Sequence, residues 1–236
     1  MSSDVSPTPL AMPPAWLIER LAAIQASIDT HAHAPVTLVA ATKSADTALM
    51  QMLYQAGVRH FGENRLQEAM SKQHALSEAS LHWHFIGSLQ SNKALKAIDA
   101  NFTLIHAVDS LALASRLSRL AAAQSRPQAV LMQVNISGES SKHGLSIHTL
   151  EAAFQQLVSL PGLNIQGLMT MAPAQAHSEE RLAIFSALRA LRDRLQTQNE
   201  HSLPTLSMGM SNDYLEALQA GSTMIRLGRA LLTPPH

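Results

Sequence analysis

The chain has 236 residues, enough for one large domain or two small ones, and its 46% hydrophobic to 14% charged balance excludes a disordered polymer. Lys plus Arg number 17 and Asp plus Glu number 17, so bulk charge draws the protein to neither nucleic acid nor an acidic membrane surface. The count of Cys is 0, which excludes disulfides, thiolate zinc sites and a cysteine nucleophile and fits a reducing compartment.

The opening MSSDVSPTPLAMPPAW has no basic stretch and is interrupted by prolines, so it reads as a loose arm over residues 1–14 rather than a secretory signal. No apolar run reaches the roughly 18 residues of a membrane span. A cytoplasmic protein is expected, with one domain over residues 15–236.

After the arm, Leu17, Leu21, Ile24 and Ile28 recur at helical spacing, predicting a helix to about residue 30. PVTLVAAT at 35–42 is a short β-branched run suited to a strand buried on both faces. The pattern then alternates. Helices near 46–56, 64–78, 90–99, 109–123, 146–158, 178–198 and 211–219 separate strands near 58–63, 82–87, 102–108, 128–136, 163–169, 203–209 and 222–228. Eight strand–helix units of this regularity predict an α/β fold, a closed (β/α)8 TIM barrel in preference to an open doubly wound sheet. In such a barrel, function gathers on the loops that follow the strands.

Those loops hold the unusual residues. Lys43 closes the first strand: it is either a snorkelling rim lysine or a Schiff-base lysine whose amine attacks a carbonyl. Glu63 and Asn64 end the second strand, where a helix cap is the plain reading. His82 and His84 share a strand face, but no carboxylate or third histidine stands beside them in sequence to complete a metal site. His31 and His33 read as solvated. Ser207, Gly209, Met210 and Ser211 join one strand to a helix, and Arg226, Gly228 and Arg229 close the last strand. Glycine and serine before a helix offer N–H groups and a hydroxyl to an anion, and barrels often hold phosphate on these two loops. With Lys43, they suggest a ligand bearing a phosphate and a carbonyl.

The segments LVAATK, FGENRLQE, WHFIGSLQSNK, VNISGESSKHG, GLMTMAP, LSMGMSNDYLEAL and GSTMIRLG, in this order, resemble the pyridoxal phosphate homeostasis proteins, or proline synthase co-transcribed family. The resemblance runs from residue 36 onward and implies the barrel of the alanine racemase N-terminal domain. It implies pyridoxal 5′-phosphate (PLP) as cofactor, held by Lys43 as a Schiff base. It further implies Asn64 in the cofactor pocket, Ser207 on the phosphate with Gly209, Met210 and Ser211 in the same loop, and Arg226 facing the pyridine nitrogen. Gly228 and the N–H of residue 229 form the second phosphate loop, and Lys142 takes part in cofactor handling. Where the family commonly has threonine, this chain has Arg229, which removes a hydroxyl from the phosphate site.

Three functions follow for weighing: a protein that buffers or delivers PLP, a PLP-dependent amino acid racemase, or a phosphosugar aldolase using Lys43. Racemases of this fold bring a catalytic tyrosine from a separate β-rich domain, for which the residues after the last strand leave no room. The only tyrosines here, Tyr54 and Tyr214, lie in expected helices. An arginine at the pyridine nitrogen cannot accept a proton and weakens the ring as electron sink. The expectation is a non-catalytic, monomeric carrier with PLP-dependent apo-enzymes as recipients, and without nucleic acid, membrane or metal.

Overall fold

The computed structural model describes residues 12–76, 80–139 and 143–235. Eight parallel strands close into a barrel in sequence order. They are β1 Thr37–Ala41, β2 His60–Glu63, β3 His82–Phe85, β4 Leu104–Val108, β5 Gln128–Gln133, β6 Leu163–Met169, β7 Thr205–Ser207 and β8 Met224–Leu227. Closure comes from β1 pairing with β8, with Val39 opposite Arg226. The alternation read from the sequence therefore forms the closed barrel and not the open sheet.

Helix α1 (Ala15–His31) precedes the barrel, and α2 (Thr47–Gln55), α3 (Leu66–Ala75), α4 (Ala94–Asp99), α5 (Leu111–Ala123), α6 (Ile147–Val158), α7 (Ser178–Asn199), α8 (Tyr214–Gln219) and α9 (Arg229–Leu232) follow the strands in turn. Several helices start where a side chain can accept an orphan N–H. Asp46 accepts from Leu49 at 2.8 Å, Ser110 from Leu113 at 3.3 Å and Ser146 from Thr149 at 3.0 Å. Each such cap stabilises its helix by about 1 kcal/mol. Glu63 and Asn64 do not cap α3, contrary to the plain sequence reading: the cap position is Arg65, and no side chain bonds there.

Element ends shift where turn chemistry intervenes. The seventh strand stops at Ser207 because Gly209 adopts φ +96, and a Cβ there would lie 2.6 Å from Ala217 Cβ. The eighth helix starts at Tyr214 because Asp213 folds back, its Oδ1 accepting the Met210 N–H at 2.5 Å. The terminal helix expected after the last strand is the short α9, which opens at Arg229 with Gly228 at its cap.

Two apolar regions result. The larger lies between strands and helices, with Phe61, Phe85, Phe154 and Phe185 fully buried. The smaller joins Val39, Leu104, Leu131, Met169 and Met224. Those residues come from β1, β4, β5, β6 and β8, and side chains of non-adjacent strands meet only inside a closed barrel. No helix among the described residues is long and apolar enough to cross a membrane.

Candidate functional site

A cavity of about 470 Å³ opens at the C-terminal mouth of the barrel. Ala41 and Lys43 line it from β1 and its following turn, Asn64 from the end of β2, and Met210, Ser211, Arg226, Gly228 and Arg229 from the last two loops. Lys43 is exposed, two residues beyond the strand. Its strand end is clamped from behind. The fully buried Glu63 accepts from Thr42 Oγ1 at 2.6 Å and from Lys72 Nζ at 2.8 Å, while Lys72 also donates to the Thr42 carbonyl at 2.8 Å. Gly87 lines the cavity beside Asn64, where any Cβ would collide with the Asn64 backbone carbonyl.

The two glycine loops are joined. Ala230 N–H donates to Ser211 Oγ at 3.1 Å, and Arg226 N–H to the Gly209 carbonyl at 2.9 Å. The cavity lining contains Lys43, Arg181, Arg226 and Arg229, against the single carboxylate of Asp213. Burial raises the Asp213 pKa, opposed by the Met210 N–H and by the charges of Arg226 and Arg181. A chain of zero net charge thus gathers cations at one mouth, which favours an anion. Asn64 Oδ1 is buried there without a partner, an acceptor left for a ligand. Arg229 is exposed on the rim.

Arg226 rises from inside the barrel and is almost wholly buried, which lowers its pKa to about 10, with Asp213 opposing the shift. It is therefore charged at neutral pH. Nη1 donates to Ser207 Oγ at 2.5 Å and Nη2 to the Thr170 carbonyl at 3.2 Å. Here the structure departs from expectation. Ser207, expected on the phosphate, is fully buried beneath the cavity and is not among its lining residues. The hydroxyl at the cavity wall is that of Ser211, four residues on. Inward alternation of β7 turns Ser207 into the barrel, in register with Met169 and Met224 of the interior cluster.

Ser207 Oγ also meets His106 Nδ1 at 2.9 Å. His106 Nε2 lies 2.9 Å from His84 Nδ1, and His84 Nε2 lies 2.9 Å from His60 Nδ1. His82 stacks on His60 with ring centres 4.5 Å apart. The third histidine missing from the sequence neighbourhood of His82 and His84 was on other strands. The ring nitrogens of this set bond to one another, and among the described residues no group of three or more His, Cys, Asp or Glu is placed to hold a metal. Burial lowers His84 to about 3, with His60 and His82 adding to the shift; it lowers His60 to about 4, with His82 adding, and holds His106 well below its ordinary value, with His84 and Arg226 adding. The signal for this row was present: His60, His84 and His106 each occupy an inward position of a short strand. His31 and His33 stay outside it, bonded to backbone carbonyls of Ser27 and Gln219. Lys142 lies outside the described residues.

A lysine at the end of the first strand and joined anion loops at the last two define a barrel of the alanine racemase N-terminal class, and that domain family matches residues 18–234. The pyridoxal phosphate homeostasis protein of Synechocystis is 44% identical over 197 residues, covering 83% of this chain and 90% of the relative. That of Pseudomonas aeruginosa is 43% identical over 198 residues, with 84% of each chain covered. Among solved structures, PipY of Synechococcus elongatus with PLP bound superposes at TM-score 0.83 and 40% identity, covering 92% of this chain and 100% of PipY. The chain belongs to the family of pyridoxal phosphate homeostasis proteins.

Proposed function

We propose that this protein binds PLP at the C-terminal mouth of its barrel and serves PLP homeostasis, holding the cofactor through Lys43 and giving it up to apo-enzymes, without turning over an amino acid. The observation that carries this reading is the meeting of Lys43, Arg226 and both anion loops around one cavity. The donor set fits the group. Ser211, Gly228 and the N–H of Arg229 would take the phosphate, with Met210 beside them at the wall and Gly209, outside the lining, shaping the turn; Asn64 would face the ring substituents, and Arg226 would lie at the ring nitrogen. Ser207 would act from below as the partner of Arg226. When bound, the cofactor supplies an aldehyde that condenses reversibly with amines, which is the chemistry that both storage and exchange use. We further read residues 15–236 as the cofactor-binding unit of a cytoplasmic monomer.

The phosphate loops set the test of this reading. Charge-assisted hydrogen bonds are each worth about 1.5–3 kcal/mol. Losing several should weaken pyridoxal relative to PLP by at least ~100-fold, at ~1.4 kcal/mol per factor of ten. Titration with both vitamers measures this, and equal affinities would overturn the assignment.

Absence of turnover is supported by the acid–base groups at the cavity. Arg226 is donor-only, and neither tyrosine lines the cavity: Tyr54 bonds Ser80 on α2's side of the barrel, and Tyr214 opens α8. Loss of one of two acid–base partners typically costs 10²–10⁴ in rate. In deuterated water, the holo-protein should exchange the α-proton of L-alanine no faster than free PLP does. Saturable D-alanine formation that disappears in Lys43→Ala would make the protein a racemase instead.

A further inference from the structure

We infer that His106, His84 and His60 are positioning residues for the cofactor site: they form a hydrogen-bond chain of a single polarity that starts at Arg226, passes through Ser207 and ends at the opposite mouth of the barrel. The inference rests on the PLP reading above, because Arg226 matters to function only if a ligand occupies its cavity.

Strand register brings these residues inside. His60 pairs with Val39 and Arg226 also pairs with Val39, while His84 pairs with Leu104 and Ser207 with Met169 and Met224. All of these partners except those in the row itself belong to the interior cluster. Laterally paired residues in a sheet point to the same face, so the row faces inward throughout. His60 opens β2, His84 is third in β3, His106 third in β4 and Ser207 last in β7. The row therefore climbs the barrel from its N-terminal end to the floor of the cofactor cavity. At the far end His60 lines a second cavity, of about 620 Å³, between α1 and the first two strands.

The polarity follows from counting hydrogens. Arginine only donates, and a serine hydroxyl has one hydrogen and two lone pairs. Ser207 Oγ accepts from Arg226, so its own hydrogen has one remaining partner, His106 Nδ1. His106 then carries its proton on Nε2 and donates to His84 Nδ1. His84 in turn carries its proton on Nε2 and donates to His60 Nδ1, leaving the His60 Nε2–H at the far end. The reverse order would aim two donors at Ser207 Oγ and strand the hydroxyl hydrogen in a fully buried place. The three rings remain neutral, as this order requires, because burial disfavours their charged forms.

The consequence is mechanical. A serine hydroxyl rotates freely unless its hydrogen is claimed, and His106 claims it. Ser207 then presents a lone pair to Arg226 Nη1 at all times. With Nη2 tied to the Thr170 carbonyl, the guanidinium cannot swing into the cavity.

Two measurements test this on the full chain loaded with PLP. In ¹⁵N spectra of the histidine-labelled protein at neutral pH, His106, His84 and His60 should all be neutral with the proton on Nε2. A proton on His106 Nδ1, or a charged ring in the row, would overturn the inference. The second measurement compares His106→Leu with His106→Asn, whose Oδ1 can still accept from Ser207 where Nδ1 did. His106→Leu should weaken PLP about tenfold and shift its visible absorbance band, while His106→Asn should stay within about threefold with the native band. Equal behaviour of the two variants would reduce the row to packing. If the wild type bound no PLP, the homeostasis reading would fail, whereas tight binding by His106→Leu with an unchanged band would fail the inference alone. Should His106→Leu not fold, the wild-type proton positions decide.

Discussion

Lys43→Ala is expected to abolish the visible absorbance band of the PLP-loaded protein completely while leaving its stability within about 0.5 kcal/mol of wild type. The two outcomes separate because Lys43 is exposed at the cavity, beyond the end of β1, and packs into neither apolar region. The strand end is held by Thr42, Glu63 and Lys72, none of which the substitution touches. Borohydride reduction of the wild-type complex followed by peptide mapping should place the pyridoxyl group on Lys43. A label found only on Lys93, which sits in the turn Ser91–Lys93 away from the cavity lining, would overturn the assignment of the amine. So would a band of native intensity in Lys43→Ala.

Acidification should destabilise the fold well before carboxylates titrate. In the unfolded chain a histidine takes its proton near pH 6.5, whereas burial holds His84 down to about 3 and His106 well below its ordinary value. Below 6.5 the unfolded state therefore binds protons that the folded state refuses, and stability falls with pH until the folded values are reached. Each such group loses ~1.4 kcal/mol per pH unit. Across the 1.5 units or so from 6.5 to 5, His84 alone amounts to about 2 kcal/mol, a sizeable share of the 5–15 kcal/mol typical of a domain, and His106 acts in the same direction. His60 adds to the same trend but is only partly buried, so solvent moderates its share. Asp213 acts in the opposite sense, since its raised pKa makes the folded state take a proton first as pH falls. Urea unfolding at pH 7.5, 6 and 5 measures the effect. A flat profile above pH 5 would show that the imidazole row is either hydrated or charged in the native state.

Much of the architecture was legible in the residues. Short apolar runs with β-branched members, separated by segments of helical period, determine parallel strands buried on both faces, by helices outside and by one another's side chains inside, and eight of them close a barrel. The same pattern identified the mouth at which Lys43, Asn64, Ser211, Arg226, Gly228 and Arg229 meet, because a loop that follows a barrel strand can only lie at that end. What the pattern could not resolve was the direction of side chains near strand ends. Ser207 and Ser211 are four residues apart in one glycine-containing turn, and linear order does not say which hydroxyl faces the cavity. The turn at Gly209 decides it, leaving Ser207 inside and Ser211 above. Glu63 likewise reads as a cap beside Asn64 but is committed to Thr42 and Lys72 from neighbouring elements. The imidazole row shows the same limit most fully. His60, His84 and His106 are more than 20 residues apart in sequence, and local propensity carries no information about partners at that distance. Only parallel register stacks them on the inner face of adjacent strands, where closure of the barrel removes water and leaves each ring nitrogen no partner but the next.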